Sequence, residues 1–201
     1  LIILLLRLYN IDSGQINIGK YNINSISLKS LRENIGLVSQ ETFLFDGTIS
    51  DNICYPILDT DLDKIIRAAE LSQCDEFIDR FPDGYNTLIG ERGQRLSVGQ
   101  KQRISIARAI LKDPSILIFD EATSSVDNRT ENLIQKSLKD ISKDRTTIAI
   151  AHRLSTIRNA DLILVLEEGK IIESGTHNQL VDLNGNYKYL WDLQTGQLDR
   201  G

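Results

Sequence analysis

The sequence QRLSVGQKQRISIARAILKDPSILIFDEATSSVD, which runs from Gln94 to Asp127, decides how this chain folds. Its first part signals the start of a helix. Ser97 occupies an N-cap position, and Gln100 three residues later completes a capping box. Such a helix presents free N–H groups and the positive end of its dipole, which together bind anions. Gly99 has no side chain and therefore lets an anion approach the backbone.

A strand follows this helix and ends in two acids. Pro114 stops the helix, and the four apolar residues 116–119 predict a strand buried on both faces, as in a parallel sheet. Asp120 and Glu121 then lie at the carboxyl end of the strand, where open α/β sheets bind ligands. Asp120 is suited to hold a metal ion through water, and Glu121 is suited to take a proton from an attacking water.

In this order and at this spacing, the motifs resemble those of the ATP-binding cassette family. Residues 96–100 resemble its signature sequence, residues 116–121 its Walker B strand with the catalytic glutamate, and residues 124–127 its D-loop. The chain departs from the family pattern at two positions. Val98 stands where Gly is usual and Ser125 where Ala is usual, and both positions vary among members.

The resemblance implies an α/β fold, the P-loop NTPase fold of ABC ATPases. A RecA-like lobe with a parallel sheet would comprise residues 1–49 and 106–201, and residues 50–105 would form an α-helical lobe that carries the signature. The leucine-rich residues 1–9 taken alone predict a short buried helix. In the family, a similar helix follows the Walker A phosphate loop. We therefore expect the chain to begin just after a missing Walker A motif, which leaves the fold incomplete at its N-terminus.

Composition excludes several classes of protein. A chain of 201 residues with 41% hydrophobic content can bury the core of one domain, with room for two lobes. The net charge of -5 argues against a nucleic-acid surface. Two cysteines, Cys54 and Cys74, are too few for a disulfide framework or a metal site and predict small buried residues in a reducing compartment. No apolar run approaches the roughly 20 residues of a membrane span.

The segment from Gly14 to Lys20 fits the phosphate-loop pattern G-x-x-x-x-G-K, but its context argues against that function. Tyr21 stands where a Ser or Thr would ligate Mg²⁺, no strand precedes the segment and no helix follows it. The alternation of polar and apolar residues over 15–18 instead predicts a half-buried strand that ends in a turn at residues 19–20.

Two loops are expected to reach a ligand or a partner. A short helix over 28–33 and a strand over 35–39 lead to Gln40, which alone is a surface amide but here resembles the Q-loop glutamine that reaches the metal. Residues 42–49 resemble the exporter version of that loop. The second loop precedes the signature and resembles the X-loop, which contacts the coupling helices of a membrane domain; an isolated loop of this composition would be flexible and solvated. Its residues are Gly90, Glu91, Arg92 and Gly93.

Periodicity predicts the remaining elements. Helices are expected over 62–71, over 74–81 with Phe77, Ile78 and Phe81 on one face, over 130–142 and over 178–193. The last of these should bury Leu180, Tyr187, Leu190 and Trp191. A turn is expected at 82–85, a hairpin over 161–175 with its turn at 168–169, and a strand over 146–151 that delivers His152. His152 resembles the switch histidine of the family, which donates to the γ-phosphate.

The resemblance further implies a head-to-tail dimer that binds ATP and Mg²⁺ between its subunits. Glu121 and His152 would be catalytic, Asp120 and Gln40 would hold the metal, and the signature with the D-loop would contact the nucleotide. The contacting residues would be Leu96, Ser97, Val98, Gly99, Gln100 and Asp127. The partners would be a second nucleotide-binding domain, identical or different, and a transmembrane domain fused upstream. The chain would lie at the cytoplasmic face of the cell membrane.

Two other functions remain as alternatives. A soluble cassette ATPase of DNA repair or of ribosomes would carry basic patches or long coiled-coil insertions, and the sequence has neither. A degenerate module that never hydrolyses ATP is disfavoured by the presence of Glu121 and His152.

Overall fold

The computed structural model describes residues 1–55, 57, 60–120, 128–151 and 153–197. The chain divides into two compact units, Leu1–Ile150 and Ala151–Gly201. This division does not coincide with the lobes expected from the sequence, and the lobe boundaries stay a prediction.

The first unit opens with a short helix and a small hairpin. Helix α1 spans Ile2–Leu5 and contains no fully buried residue, so the expectation of a buried helix is wrong. Ile2 and Leu5 are only partly buried against a neighbouring apolar cluster, because one side of this single turn faces solvent. Strands β1 (Asn17–Ile18) and β2 (Tyr21–Asn22) pair antiparallel. The turn between them is the one predicted, although the strand before it is shorter than expected.

A parallel sheet of three strands forms the centre of this unit. Its order is β3 (Ile35–Val38), β4 (Ile116–Asp120) and β5 (Thr146–Ile150). The middle strand β4 is covered on both faces, since its three central side chains are at most 3% exposed. The buried parallel strand predicted from the sequence is therefore confirmed.

The described part of the first unit contains six further helices. They are α2 (Leu28–Glu33), α3 (Ile49–Cys54), α4 (Leu62–Leu71), α5 (Asp75–Ile78), α6 (Val98–Leu111) and α7 (Asn128–Ile141). Helices α2 and α4 have the predicted bounds. Helix α6 ends before Pro114, as expected.

The expected helix over 74–81 forms only one turn, α5. Gln73 has a left-handed φ of 60°, which separates α5 from α4. Phe81 precedes Pro82, and a residue before proline avoids the helical region. Phe77 and Ile78 are buried as predicted, whereas Phe81 is only partly buried beside Phe77.

One hydrophobic core joins helices α3 to α7 to the sheet. It runs from Ile49, Ile53 and Phe77 in the helical part to Leu117 in β4 and Ile134 in α7. Residues from both predicted lobes share this core. Cys74 is completely buried within it, as expected, but Cys54 is half-exposed.

The second unit is built from helix α8 (Leu154–Ile157), the hairpin β6 (Ile163–Glu167) and β7 (Lys170–Gly175), and helices α9 (His177–Leu183) and α10 (Asn186–Thr195). The hairpin with its turn at 168–169 is confirmed. The tail is two helices rather than one, because Asn184 adopts a left-handed conformation between them. Leu180 and Tyr187 are buried and Trp191 is partly buried, but Leu190 is 41% exposed, so its predicted burial is wrong.

A carboxylate from the hairpin caps the last helix. Glu173 of β7 accepts hydrogen bonds from the backbone N–H groups of Asn186 and Tyr187 at the start of α10, the second at 3.0 Å. Gly185 makes room for this carboxylate, since a Cβ there would collide with it. Among the described residues, no helix is both long enough and apolar enough to cross a membrane.

Candidate functional site

The predicted capping box forms at the start of α6. Ser97 Oγ accepts from the Gln100 backbone N–H at 3.2 Å, and the Ser97 N–H donates to Gln100 Oε1 at 2.8 Å. Ser97 and Val98 are exposed at the tip, whereas Leu96 and Gly99 are buried. Because Ser97 Oγ acts only as an acceptor in the box, its O–H can still donate to an incoming anion.

The 90–93 loop is fastened to the same end of α6. Lys101 Nζ donates to the Arg92 carbonyl at 2.9 Å, and the Leu96 N–H donates to the Gly93 carbonyl at 2.9 Å. Gly93 has φ 64° and lies against Leu44, whose Cδ1 would be 2.8 Å from an added Cβ. The side chains of the loop's other members, Glu91 and Arg92, remain exposed to solvent.

Gln40 and Asp120 both lie at the carboxyl ends of neighbouring strands. Val38 ends β3 opposite Phe119, and Asp120 is the next residue of β4. Since the two strands are parallel, Gln40 and Asp120 lie beyond the same carboxyl edge, with Gln40 exposed and Asp120 half-buried. This is the edge at which open α/β sheets bind ligands.

The donors at this edge suit Mg²⁺. A carboxylate and an amide oxygen are hard ligands, and Mg²⁺ commonly takes one or two protein oxygens together with water and phosphate oxygens. The described residues contain no group of three or more His, Cys, Asp and Glu side chains that could enclose a metal ion. Asp120 and Gln40 could supply the protein oxygens of such a Mg²⁺ site.

Three of the predicted site residues are not among those that the structure describes. Glu121, Asp127 and His152 lie outside the described residues. The structure places β4 and β5, the strands that precede Glu121 and His152 in the sequence, side by side in parallel.

The sequence reasoning missed the polar side chains on the buried face of α6. Gln102, 4% exposed, accepts from Thr42 Oγ1 at 2.6 Å and donates to the Ser39 carbonyl at 3.3 Å. Arg103, 6% exposed, pairs with Glu76 at 3.0 Å. Both lie in the polar run of residues 100–103 in α6, and such a run does not reveal which of its side chains are buried or what they contact.

Arg108 fastens α6 to the segment that follows Gln40. Its guanidinium donates to the Phe43 carbonyl at 3.1 Å, to the Asn52 carbonyl at 2.9 Å and to Asn52 Oδ1 at 3.2 Å. Burial lowers the pKa of Arg108 from its ordinary value. Asn52 is completely buried and also bonds the backbone of Phe45 and Thr48. Helix α6 thus holds the Gln40 segment from several points.

Comparison with known proteins agrees with these features. A family model described as ABC transporter matches residues 1–124. ABC transporter B family member 6 of Dictyostelium discoideum is 51% identical over 191 residues, which are 95% of this chain and 28% of that protein. An ATP-dependent lipid A-core flippase of Legionella pneumophila (strain Paris) is 50% identical over 95% of this chain and 32% of its own length.

A solved structure shows the same fold. A bacterial Atm1-family ABC exporter with ATP bound superposes with a TM-score of 0.91 and 43% identity over 96% of this chain and 34% of the exporter chain. This confirms the ABC ATPase fold expected from the sequence. The chain spans about a third of the length of the relatives it matches. From its motifs, its fold and these matches, the chain belongs to the ABC transporter family.

Proposed function

We propose that this chain binds and hydrolyses ATP as part of an ABC exporter and that hydrolysis drives transport across a membrane. The observation that carries the proposal is that one chain has both an exposed, capped helix tip at Ser97 and, beyond the carboxyl edge of its parallel sheet, Asp120 and Gln40. One feature suits an anion and the other suits the cation that accompanies it.

In the proposed site, each residue has one task. Asp120 and Gln40 would hold Mg²⁺, which when bound neutralises phosphate charge. Glu121 would take the proton of the attacking water, and His152 would donate a hydrogen bond to the γ-phosphate.

We further propose that two such domains, identical or different, close head to tail on ATP. The helix tip of one subunit, with the Ser97 hydroxyl, would contact the γ-phosphate of the nucleotide held by the other. Leu96, Val98, Gly99, Gln100 and Asp127 would complete that surface. Closure would then depend on ATP, and hydrolysis would reopen the dimer.

The coupling partner in this proposal is a membrane-embedded domain in the same protein, which would place the chain at the cytoplasmic face of the membrane. The Gln40 segment and the 90–93 loop would transmit closure to it. Both are fastened to α6, through Arg108 and Lys101 respectively, so a movement of α6 moves both.

The test is the substitution Glu121→Gln in the intact protein that contains this chain. We expect ATP hydrolysis to be lost while ATP still stabilises a dimer, because the substitution removes the proton acceptor and keeps the size of the side chain. Turnover is measured by phosphate release and dimerisation by sedimentation with and without ATP. Unchanged turnover would remove Glu121 from its proposed role.

A further inference from the structure

Gln102 contacts the segment of residues 39–42, which carries Gln40 and is called the bend below. It is five residues after Ser97 in the sequence and is almost fully buried. Its side-chain amide contacts the bend on both sides of Gln40: Nε2 donates to the Ser39 carbonyl, and Oε1 accepts from the Thr42 hydroxyl. Gln40 itself remains exposed between these two anchor points.

The chemistry of the partners fixes the orientation of this amide. A backbone carbonyl can only accept, so Gln102 must turn its NH₂ group toward Ser39. Its oxygen is then left for the Thr42 hydroxyl, which can donate. Rotation of the amide by 180° would place two acceptors together at Ser39, and a buried polar group without a partner costs free energy. The arrangement therefore has one satisfied orientation.

Two further hydrogen bonds hold the bend, one within it and one to the residue that follows it. Ser39 Oγ donates to the Glu41 carbonyl at 3.0 Å, and Arg108, six residues beyond Gln102 on α6, donates to the Phe43 carbonyl. With a rise of about 1.5 Å per residue, Gln102 lies roughly 8 Å along the helix from Ser97. A single helix thus carries the tip at its start and contacts the Gln40 bend through Gln102 in its second turn.

We propose that Gln102 is a positioning residue, which holds Gln40 at the sheet edge beside Asp120 and fixes its distance from the helix tip. Gln102 does not reach the ligand in this scheme; it acts through the backbone of residues 39 and 42. The inference rests on the proposed function only in the role given to Gln40. The alternative is that Gln102 merely satisfies buried polar groups and that the bend keeps its position without it.

The first test measures the bend directly and needs no enzymatic activity. In the intact protein with accessible cysteines replaced, Cys54 among them, a nitroxide label is attached at Glu41→Cys, an exposed position beside Gln40. Gln102→Leu keeps the side-chain size and removes both hydrogen bonds. We expect a mobile component to appear in the electron paramagnetic resonance spectrum of this variant.

The matched control is Ser137→Ala, which removes a buried hydroxyl whose hydrogen-bond partner, the Leu133 carbonyl, lies in its own helix α7 and not in the bend. It should leave the label as immobile as in the parent protein. An unchanged spectrum for Gln102→Leu, or equal mobilisation by both substitutions, would overturn the proposal. This result stands even if the protein hydrolyses no ATP, so failure of the proposed function is distinguishable from failure of the inference.

The second test asks whether Gln102 acts through Gln40. Gln102→Leu should lower kcat for ATP about tenfold, the loss expected when a buried hydrogen-bonded support is removed, and change KM less. In a Gln40→Ala background the same substitution should cost nothing further, because the group it positions is gone. A loss of equal size in both backgrounds would show that Gln102 acts by another route and would overturn its assignment to Gln40.

Discussion

Ser97 serves both the fold and the proposed site with one hydroxyl group. Its oxygen accepts from Gln100 and so starts α6, while its proton remains available to a ligand. The exposure of Ser97 at the helix tip means that a second molecule can reach it. A substitution at this residue should therefore affect both stability and association, and the two effects can be separated.

For Ser97→Ala, we expect ATP-driven dimerisation of the intact protein to weaken more than nucleotide binding to a single subunit, because the lost hydroxyl contacts the partner's nucleotide. Loss of the cap should also cost about 1 kcal/mol of stability. Sedimentation with and without ATP measures the first effect and urea unfolding the second. Thr176→Ala is the control, since Thr176 forms an equivalent capping box on α9. Equal weakening of the dimer by both substitutions would contradict the assignment.

Cys74 should make the stability of the chain decline at alkaline pH. Complete burial raises the pKa of its thiol from 9.0 to about 12. Above pH 9 the unfolded chain loses this proton while the folded chain keeps it, so the free energy of unfolding falls as pH rises toward 12. Burial likewise raises the pKa of Tyr85 to about 12, and this effect has the same sign.

The measurement is urea unfolding from pH 7 to pH 10.5 for the parent and for Cys74→Ala. The variant should show a shallower decline, because the Cys74 thiol no longer contributes to it. Thiol reagents should modify half-exposed Cys54 in the folded protein and reach Cys74 only on unfolding. An identical pH dependence in both proteins would contradict the prediction.

At the scale of elements, α6 organises the site. The sequence predicted its start at Ser97 and its stop before Pro114, because capping and proline act locally. It also predicted β4, whose continuous apolar run is typical of a buried parallel strand. The sequence did not indicate that Gln102 and Arg108 reach the Gln40 segment, since those contacts span about 60 positions in the chain. Long-range side-chain pairing leaves no local pattern.

The same distinction explains the errors. The spacing of Phe77, Ile78 and Phe81 is helical, but the left-handed Gln73 and the proline after Phe81 confine the helix to one turn. Leu190 has helical spacing with its neighbours, yet the break at Asn184 gives α10 a different inward face. Periodicity in the sequence indicates which residues could lie on one face of a helix. Breaks in the backbone then determine which of these residues belong to the same helix and so face the same way.

Gly93 should be the least replaceable residue of the 90–93 loop. Gly93→Ala would place a Cβ 2.8 Å from Leu44 at a left-handed φ of 64°, and we expect a loss of about 2–4 kcal/mol from strain and overpacking. Gly84→Ala is the control, because Gly84 has φ 50° and open space around it, so it should cost about 1–2 kcal/mol. Urea unfolding of both variants gives the comparison, and equal costs would contradict the predicted contact with Leu44.

At the scale of the whole molecule, residues 1–201 alone should show negligible ATP hydrolysis. The segment with a phosphate-loop pattern, Gly14 to Lys20, contains strand β1 and the turn that leads to β2, and Lys20 Nζ lies 5.4 Å from the centre of the Tyr21 ring. It therefore does not form the strand-loop-helix cradle that a triphosphate requires. Phosphate release by the purified chain is the measurement. Robust turnover would contradict the prediction.

A substitution in the intact protein tests whether the segment from Gly14 to Lys20 takes part in ATP hydrolysis. Lys20→Ala should leave turnover unchanged, since Lys20 lies in a surface hairpin. A large loss of turnover would show that the hairpin acts as a phosphate loop after all.

The carboxylate of Glu173 bears on the order in which the C-terminal unit assembles. Helix α10 has no side-chain cap of its own at Gly185 and takes its N-terminal acceptor from strand β7, thirteen positions earlier than Asn186. An isolated peptide of ten residues nucleates a helix poorly. During synthesis on the ribosome, the β6–β7 hairpin emerges before α10, so Glu173 can already be in place when α10 appears. Helix α10 would then form only after the two strands of the hairpin have paired. The helicity of the tail would therefore report whether the hairpin has formed.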